Sequence, residues 1–423
     1  MPSEYAESLR WLYELAPRGM RLGLERMRRG LRLRGNPEHS FRVVQVAGTN
    51  GKGSTSAMLE RALRAQGLRT GLYTSPHLHS FTERIRISGE PISCEEVVER
   101  VQQLKEFLEE PETPWLTFFE VSLIMACEAF RDARADVVIL EVGLGGRLDA
   151  TTAAESDLAV VTEVALDHTH RLGDTVRAIA REKAGIIRPG CPVVISAGSP
   201  EARQVVGRRA RDLGSPRYYR GREFGWNQAD PPVLRLGQRE LHNVRMGLAG
   251  DHQRGNAAAA GMAATLLCPE ISEHALREGI GDVEWPGRLE RVAGDPPFVF
   301  DAAHNPDGCC RLAEFLGESV VEGPRVLIFG AMQDKDLSAM LGALDPVIQK
   351  RVYVAPEMDR ACEVKELARL RPGYCAPNFE DAIAEARRCA GPRGEVVVAG
   401  SVFVLAEVRA RILGLTTDPP LGL

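Results

Sequence analysis

The chain has 423 residues, 44% of them hydrophobic, and this length favours two or three compact domains over a single one. Its formal net charge of −5 argues against a general nucleic-acid binder, because such proteins present a basic face that neutralises phosphates. The arginine cluster from Arg18 to Arg34 is a local exception, and a solvated helical face explains it better than polyanion binding.

Two further observations narrow the class of protein. No apolar run approaches the roughly 18 residues that a membrane-spanning helix needs, and the N-terminal segment is acidic where a signal peptide would be basic. We therefore expect a cytoplasmic protein without membrane or nucleic-acid partners. Nine cysteines without a CxxC pair indicate neither a zinc ribbon nor a complete disulfide framework.

From residue 41 onward, short β-branched apolar runs alternate with helical stretches, which is typical of a parallel sheet covered by helices. We predict a helix at residues 54–66 and a hairpin within residues 218–246, around Gly237-Gln238. An alanine-rich helix is predicted to begin near Asn256. The predicted strands of this half are residues 42–47, 136–142, 158–162 and 193–196.

The segment EWPG at residues 284–287 interrupts the chain, and the α/β alternation restarts after it. We predict an α/β fold with two domains. The first, residues 1–285, contains a P-loop and a central, mostly parallel sheet, and the second, residues 286–423, is a smaller Rossmann-like domain. The strands predicted for the second domain are residues 298–301, 326–330, 351–355 and 395–399.

A phosphate-binding loop follows the first strand, with the sequence GTNGKGST at residues 48–55. Its glycines allow backbone N–H groups to face phosphates, the following helix N-terminus adds positive potential, and Lys52 supplies a charge for the β and γ oxygens. The spacing departs from the common P-loop, because Gly53 separates Lys52 from the hydroxyl residue. We predict that this loop binds a nucleoside triphosphate.

Glu141 ends a predicted strand, at the edge where open α/β sheets bind ligands, and is therefore a magnesium candidate. The glycine-rich turn at residues 143–146 lacks the GxGxxG spacing of a dinucleotide fingerprint. His168 follows the next strand and could coordinate a metal or orient a phosphate. The pairs His77/His79 and His168/His170 could instead indicate zinc, but no third ligand completes either set.

Lys183 stands out because only six of the 53 basic residues are lysines. A lysine can lose its proton and form a carbamate with CO2, whereas arginine stays protonated. The alternative is a surface lysine paired with Glu182. In the second half, polar clusters follow predicted strands at residues 301–306, 330–336 and 400–401, and each is either ligand-facing or a helix cap.

In the order and spacing of its motifs, the chain resembles the folylpolyglutamate synthase/dihydrofolate synthase branch of the Mur ligase superfamily over nearly its whole length. The motifs are LGLER at 22–26, GTNGKGST at 48–55, TSPHL at 74–78, EVGLGGRLDAT at 141–151, LDHT at 166–169, EKAG at 182–185, DHQRGN at 251–256, PGRLE at 286–290 and DAAHNP at 301–306. The chain departs from the family pattern in two places: Thr152 replaces a common asparagine, and Glu163-Val164-Ala165 replaces Ser-Ile-Gly.

The resemblance implies roles for individual residues. The implied catalytic residues are Lys52, Lys183 and His304. Contacts to ATP would come from Asn50, Gly51, Lys52, Gly53, Ser54, Asn256, Arg288 and Asp301. Magnesium would be held by Ser75, Glu141 and His168, with carbamylated Lys183 at a second metal. The pterin substrate would face Thr117, Leu148, Asp149 and Ala150, while His304 and Ser401 would lie on the glutamate or phosphate side.

The implied reaction is an ATP-dependent ligation of L-glutamate to dihydropteroate, to reduced folates or to both, through an acyl phosphate. ATP and two Mg2+ ions would be required, potassium is a further cofactor that the resemblance allows, and we expect a monomer. Two rival readings remain. A ligase of UDP-linked cell-wall precursors needs a separate N-terminal domain, for which the 47 residues before Gly48 are too few. A P-loop ATPase switch leaves the cluster at residues 301–306 unexplained.

Overall fold

The computed structural model of the chain describes residues 3–16 and 23–419, and the described residues form two compact units. The first unit comprises residues 3–16, 23–165, 169–247 and 253–284. The second comprises residues 166–168, 248–252 and 285–419, so that two short segments that precede residue 285 belong to it. Arg18, Arg21 and Leu22, which belong to the arginine cluster and the first family motif, lie outside the described residues.

Eight strands of the described residues form the main sheet of the first unit, in the order β4-β3-β2-β5-β1-β6-β7-β8. The strands from β2 to β8 in this order run parallel, and β3 and β4 extend the sheet as antiparallel edge strands. Their bounds are β1 Arg42–Ala47, β2 Thr70–Tyr73, β3 Ile85–Ile87, β4 Glu90–Pro91, β5 Val137–Glu141, β6 Leu158–Val161, β7 Val193–Ile195 and β8 Arg217–Tyr219.

The central strands of this sheet are apolar runs because both faces are covered by helices. Every residue of β5 and β6 is buried. The helices described before residue 285 are α1 Ser3–Glu14, α2 Glu25–Leu33, α3 Lys52–Ala65, α4 Cys94–Glu109, α5 Phe118–Asp132, α6 Thr169–Leu172, α7 Val176–Lys183, α8 Pro200–Asp212, α9 His252–Leu267 and α10 Glu273–Gly281. All helices in the described part of the chain are too short or too polar to span a bilayer.

A small antiparallel sheet, β11-β10-β9, lies between the main sheet and α9 along the chain. It consists of β9 Phe224–Trp226, β10 Leu234–Leu236 and β11 Arg239–Leu241. Gly237 and Gln238 connect β10 to β11, and Gly237 has φ 64°, the left-handed conformation that a two-residue hairpin turn requires. The hairpin prediction around these two residues is confirmed.

The second unit contains a six-stranded sheet in the order β12-β13-β17-β14-β15-β16 among the described residues. Only β12 is antiparallel to its neighbour. The strands are β12 Glu290–Val292, β13 Phe298–Phe300, β14 Arg325–Phe329, β15 Lys350–Tyr353, β16 Tyr374–Cys375 and β17 Glu395–Ala399. The helices are α11 Pro306–Gly317, α12 Leu337–Leu344, α13 Val364–Leu370, α14 Phe379–Ala390 and α15 Val402–Leu413.

The predicted α/β class is confirmed, and the elements that were predicted differ from the structure mainly at their ends. Helix α3 begins at Lys52 rather than at residue 54, because Gly51 already acts as its N-cap. Helix α9 begins at His252, before the predicted start near Asn256. The domain boundary at residues 285/286 stays a prediction, and it did not anticipate that residues 166–168 and 248–252 belong to the second unit.

Candidate functional site

The phosphate loop connects β1 to α3 in the first unit, and two of its glycines have no room for a side chain. A Cβ atom on Gly48 would lie 1.8 Å from the Oγ1 atom of Thr162. Gly51 has φ 85°, and a Cβ atom there would lie 2.3 Å from the Oδ1 atom of Asn256. The loop is therefore packed against β6 and against α9, which brings the predicted ATP contacts Gly51 and Asn256 together.

Hydrogen bonds from the end of β6 fix the loop's backbone. The N–H of Thr49 donates to the Glu163 carbonyl at 2.7 Å, and Thr162 Oγ1 donates to the Asn50 carbonyl at 2.8 Å. Thr49 Oγ1 also accepts from the N–H of Ala165 at 3.1 Å. Since Glu163 and Ala165 contribute main-chain atoms to these bonds, the departure from the family's Ser-Ile-Gly leaves this support intact.

Two lysines converge on the phosphate loop. The Nζ atom of Lys52 donates to the carbonyls of Gly48 and Thr49 at 3.1 and 3.2 Å. The Nζ atom of Lys183 donates to the same Gly48 carbonyl at 2.8 Å, and Lys183 is only 4% exposed. The alternative of a surface lysine paired with Glu182 is wrong, because Glu182 instead forms an ion pair with Arg147 at 2.9 Å.

Ser75 and Glu141 lie together at the carboxyl edge of the main sheet. The N–H of Ser75 donates to Glu141 Oε2 at 3.2 Å, and Glu141 is buried. His168 belongs to the second unit, where burial lowers the pKa of its imidazole to about 4 despite the opposing effect of Asp167. Within the described ranges, no three His, Cys, Asp or Glu side chains cluster as a metal site, so the metal ligands stay a prediction.

His77, one of the residues considered for zinc, is half-buried and hydrogen-bonded to a neighbouring side chain. Arg84 Nε donates to His77 Nδ1 at 2.8 Å, and Arg84 lies over the rings of Phe81 and Phe118. Burial, followed by the charges of Arg84 and His79, holds the pKa of His77 well below its usual value. This arrangement gives His77 a structural role as a neutral acceptor.

Thr152, the other departure from the family pattern, uses its hydroxyl group in two hydrogen bonds. It accepts from Gln45 Nε2 on β1 at 2.6 Å and donates to the Gly146 carbonyl at 2.7 Å. The threonine thereby ties the glycine-rich turn at residues 143–146 to the central strand, so the turn has a structural partner in this chain.

The residues predicted to face the pterin begin two helical segments. Thr117 is the N-cap of α5: its Oγ1 accepts from the Glu120 N–H, and Glu120 Oε2 accepts from the Thr117 N–H. Asp149 caps the 3-10 helix that starts at Ala150 by accepting from the Thr151 N–H at 3.0 Å. It also accepts from the Leu144 N–H at 2.9 Å, and burial raises the pKa of its carboxyl. Leu148 is half-buried, and whether these residues contact a substrate stays a prediction.

In the second unit, Asp301 follows β13 and organises the loop that carries Arg288. Its carboxylate accepts from the N–H groups of Leu289 at 3.0 Å and Ala303 at 2.9 Å. Burial raises the pKa of Asp301, and the charge of Arg288 opposes this shift. The two predicted ATP contacts Arg288 and Asp301 are thus brought together.

Asp167 is the centre of a polar cluster that sequence reasoning did not assign. Its carboxylate accepts from Lys335 Nζ at 2.5 Å and from Asn305 Nδ2 at 3.1 Å, and it lies 3.5 Å from His304 Nε2. Burial raises the pKa of Asp167, but the hydrogen bond and charge of His304 and the charges of His168 and Lys335 outweigh it and lower the pKa overall.

A signal for this cluster was present in the sequence. Lys335 is one of only six lysines, and Asp167 and Lys335 both occupy polar segments predicted to follow strands. Ser401, predicted on the glutamate or phosphate side, is buried and acts as the N-cap of α15 by accepting from the Phe403 N–H at 3.2 Å.

Family comparisons cover both units of the chain. The family model described as the Mur ligase middle domain matches residues 46–264, and that described as the Mur ligase glutamate ligase domain matches residues 287–402. A dihydrofolate synthase/folylpolyglutamate synthase from Bacillus subtilis is 34% identical, covering 97% of this chain and 100% of the relative. The enzyme of the same name from Escherichia coli is 35% identical, covering 96% of this chain and 95% of the relative.

Solved structures agree with this assignment. Escherichia coli FolC in complex with DHPP and ADP superimposes with a TM-score of 0.88 at 33% identity, covering 98% of each chain. A bifunctional folylpolyglutamate synthase/dihydrofolate synthase with Mn, AMPPNP and L-glutamate bound gives a TM-score of 0.86 at 34% identity, covering 96% of this chain and 98% of that chain. The chain belongs to the dihydrofolate synthase/folylpolyglutamate synthase family, a group of ATP-dependent ligases among the Mur ligases.

Proposed function

We propose that this protein uses ATP to join the amino group of L-glutamate to the carboxylate of dihydropteroate and of reduced folates. The observation that carries the proposal is the convergence of Lys52 and Lys183 on the Gly48 carbonyl of the phosphate loop. Relatives whose structures contain ADP with DHPP, or AMPPNP with L-glutamate, support the choice of substrates.

The chemistry requires activation of a carboxylate, which is a poor electrophile at neutral pH. Transfer of the γ-phosphoryl group of ATP to a carboxylate oxygen gives an acyl phosphate and ADP. The deprotonated amine of glutamate then attacks the acyl carbon, phosphate leaves, and an amide remains. Lys52 would offset the negative charge of the transferring phosphoryl group, and the loop's N–H groups would orient it.

A divalent cation fits the donors that this chain supplies. The Ser75 hydroxyl and the Glu141 carboxylate are oxygen donors of the kind that magnesium prefers, and the Ser75 N–H bond to Glu141 places them side by side. The bound ion would neutralise phosphate charge. His168 would be a further ligand of this ion. From the family resemblance we also propose potassium as a cofactor, a monomeric state and a cytoplasmic location.

His304 is proposed to act on the glutamate or phosphate side of the reaction. Its Nδ1 atom lies 2.8 Å from the Ala302 carbonyl, so Nδ1 carries a proton, and Nε2 is directed towards Asp167. Asp167 and Lys335 would keep this imidazole and its neighbouring charges in one arrangement. Ser401 would face the same substrates from the N-terminus of α15.

Lys183 is proposed to carry a carbamate that helps to hold a second metal. We expect Lys183→Ala to lose activity and short carboxylates such as formate or acetate to restore part of it, because they replace the missing oxygen donors. Lys183→Arg is the control, since it keeps a cationic donor near Gly48 but cannot form the carbamate. Labelled bicarbonate should give a carbamate 13C signal in the unsubstituted protein only, and an active Lys183→Ala enzyme would refute the role.

The substrates are tested by product formation with dihydropteroate and with tetrahydrofolate, each with and without ATP and L-glutamate. Amide formation with both acceptors is the expected result. If one acceptor gives no product, the protein is monofunctional. Phosphate release that needs neither glutamate nor a pterin carboxylate would instead identify a P-loop ATPase switch and would contradict the ligase proposal.

A further inference from the structure

The loop at residues 286–289, which carries Arg288, has a backbone that its surroundings must hold in place. Gly287 and Leu289, on either side of Arg288, have φ 73° and 50°. A leucine adopts this left-handed conformation only where neighbouring contacts enforce it. One such contact is tight packing against Gly250, where a Cβ atom would lie 2.6 Å from Leu289 Cδ1.

Glu290, the first residue of β12, reaches back to this loop. Its Oε2 atom accepts from the Gly287 N–H at 2.8 Å. Arg409 forms two hydrogen bonds with the same carboxylate: its Nε donates to Oε2 at 2.9 Å, and its Nη2 donates to Oε1 at 2.8 Å. Two-point pairing of a guanidinium with a carboxylate is strong and fixes the orientation of both groups.

Arg409 is well placed to act as the fixed end of this arrangement. It lies in the third turn of α15, and its side chain is only 11% exposed, against 23% for that of Glu290. Asp301 holds the opposite side of the loop through the Leu289 N–H. The backbone on both sides of Arg288 is therefore hydrogen-bonded to a carboxylate, and one of these carboxylates is oriented by Arg409.

We propose that Arg409, acting through Glu290, is a positioning residue that presents Arg288 to the nucleotide. The inference rests on the proposed contact between Arg288 and ATP. It adds Arg409, 119 positions away from Glu290, as a residue that determines nucleotide affinity without contacting the nucleotide. Arg409 supports nucleotide binding by fixing the direction in which the Arg288 side chain leaves the loop.

The test compares ADP affinity, the KM values for ATP and glutamate, and kcat in Arg288→Ala, Arg409→Met, Arg409→Lys and Glu290→Gln. Arg409→Met should raise the ADP Kd and the KM for ATP about tenfold, the effect of one charge-assisted hydrogen bond, while the KM for glutamate and kcat at saturating ATP stay unchanged. Arg409→Lys should lie in between. Glu290→Gln, which keeps an acceptor for the Gly287 N–H, provides a milder variant should Arg409→Met fail to fold.

A double substitution separates positioning from general stability. In an Arg288→Ala background, Arg409→Met should produce no further loss of ADP affinity. Arg351→Met is the matched control, because Arg351 is 12% exposed and pairs with Asp345 at 2.6 Å in the same unit. Arg351 lies on β15, which three other strands separate from β12 in the sheet. The control substitution should lower Tm without changing the ADP Kd.

Two results would overturn the inference alone: an unchanged ADP Kd in both Arg409→Met and Glu290→Gln, or an undiminished effect of Arg409→Met in the Arg288→Ala background. An Arg288→Ala protein that binds ADP normally would remove the proposed ATP contact of Arg288 itself, and the positioning role with it.

Discussion

Gly51 allows the phosphate loop to pack closely against α9, because glycine has no side chain. Its φ of 85° lies in the left-handed region, and the Asn256 amide occupies the space where a Cβ atom would be. Asn256 is in turn held by its own Nδ2 donating to Gln253 Oε1 at 2.8 Å. A side chain at position 51 would thus disturb both the loop and a proposed ATP contact.

We predict that Gly51→Ala destabilises the protein and weakens ADP binding at least tenfold. Gly190→Ala is the matched control, because Gly190 has φ 72° but no atom within 4 Å of a Cβ position. Each substitution should cost about 1 kcal/mol for the left-handed backbone. Urea unfolding and ADP titration measure the two effects, and normal ADP binding by Gly51→Ala would contradict the prediction.

At the scale of elements, the proposed pterin contacts coincide with helix caps. The Thr117 hydroxyl accepts from the Glu120 N–H, and the Thr117 N–H donates to Glu120 Oε2 at 2.9 Å, so α5 begins with a capping box. A cap alone explains the burial of Thr117 at this position. Substrate contact is therefore a separate property that needs its own measurement.

We predict that Thr117→Val lowers the free energy of unfolding by about 1 kcal/mol, the usual value of an N-cap, and also raises the KM for dihydropteroate. Ser93→Ala removes the corresponding cap of α4, where Ser93 Oγ accepts from the Glu96 N–H at 3.0 Å. The Ser93 variant should lose similar stability with an unchanged KM. Equal KM values in the two variants would restrict Thr117 to capping.

Local sequence patterns predict the buried strands well. The predicted bounds of β1 and β17 match the structure residue for residue, because each is rich in valine and ends at a glycine-containing loop. Helix α5 was not predicted. Twelve of its 15 residues are buried, and burial on nearly every side removes the polar face from which an amphipathic helix is recognised.

Site residues could be proposed from strand ends, but their partners could not. Lys183 and Gly48 are 135 positions apart, and Lys335 and Asp167 are 168 apart. Contacts over such separations depend on the order of strands in each sheet, which short motifs do not encode. The burial of Lys183, which excludes the surface alternative, likewise follows only from the folded chain.

At the scale of the whole molecule, three histidines make the free energy of unfolding depend on pH. Burial is the main reason that the pKa values of His77, His168 and His252 are lowered. The pKa of His252 falls to about 4, because the charges of Arg311 and Arg288 add to the effect of burial. An unfolded chain binds protons at these side chains near their ordinary pKa of about 6.5. The stability contributed by the neutral imidazoles is therefore complete above pH 6.5 and declines below it.

We predict that the free energy of unfolding falls between pH 6.5 and 4, by up to about 1.4 kcal/mol per pH unit for each such histidine. His252→Gln should flatten this dependence, whereas His39→Gln, at a side chain that is 66% exposed, is the control for loss of a histidine. Urea unfolding at pH 7.5, 6 and 5 measures the slopes. An unaltered slope in His252→Gln would contradict the prediction.

The second unit is not encoded by one continuous stretch of the chain. Residues 166–168 and 248–252 belong to it, although they precede residue 285. A gene fragment that starts at residue 285 would supply Lys335 and Asn305 but not Asp167, their shared acceptor. Recombination between relatives at a single junction would therefore combine Lys335 from one parent with Asp167 from the other. A functional exchange of this unit would have to transfer its three segments together.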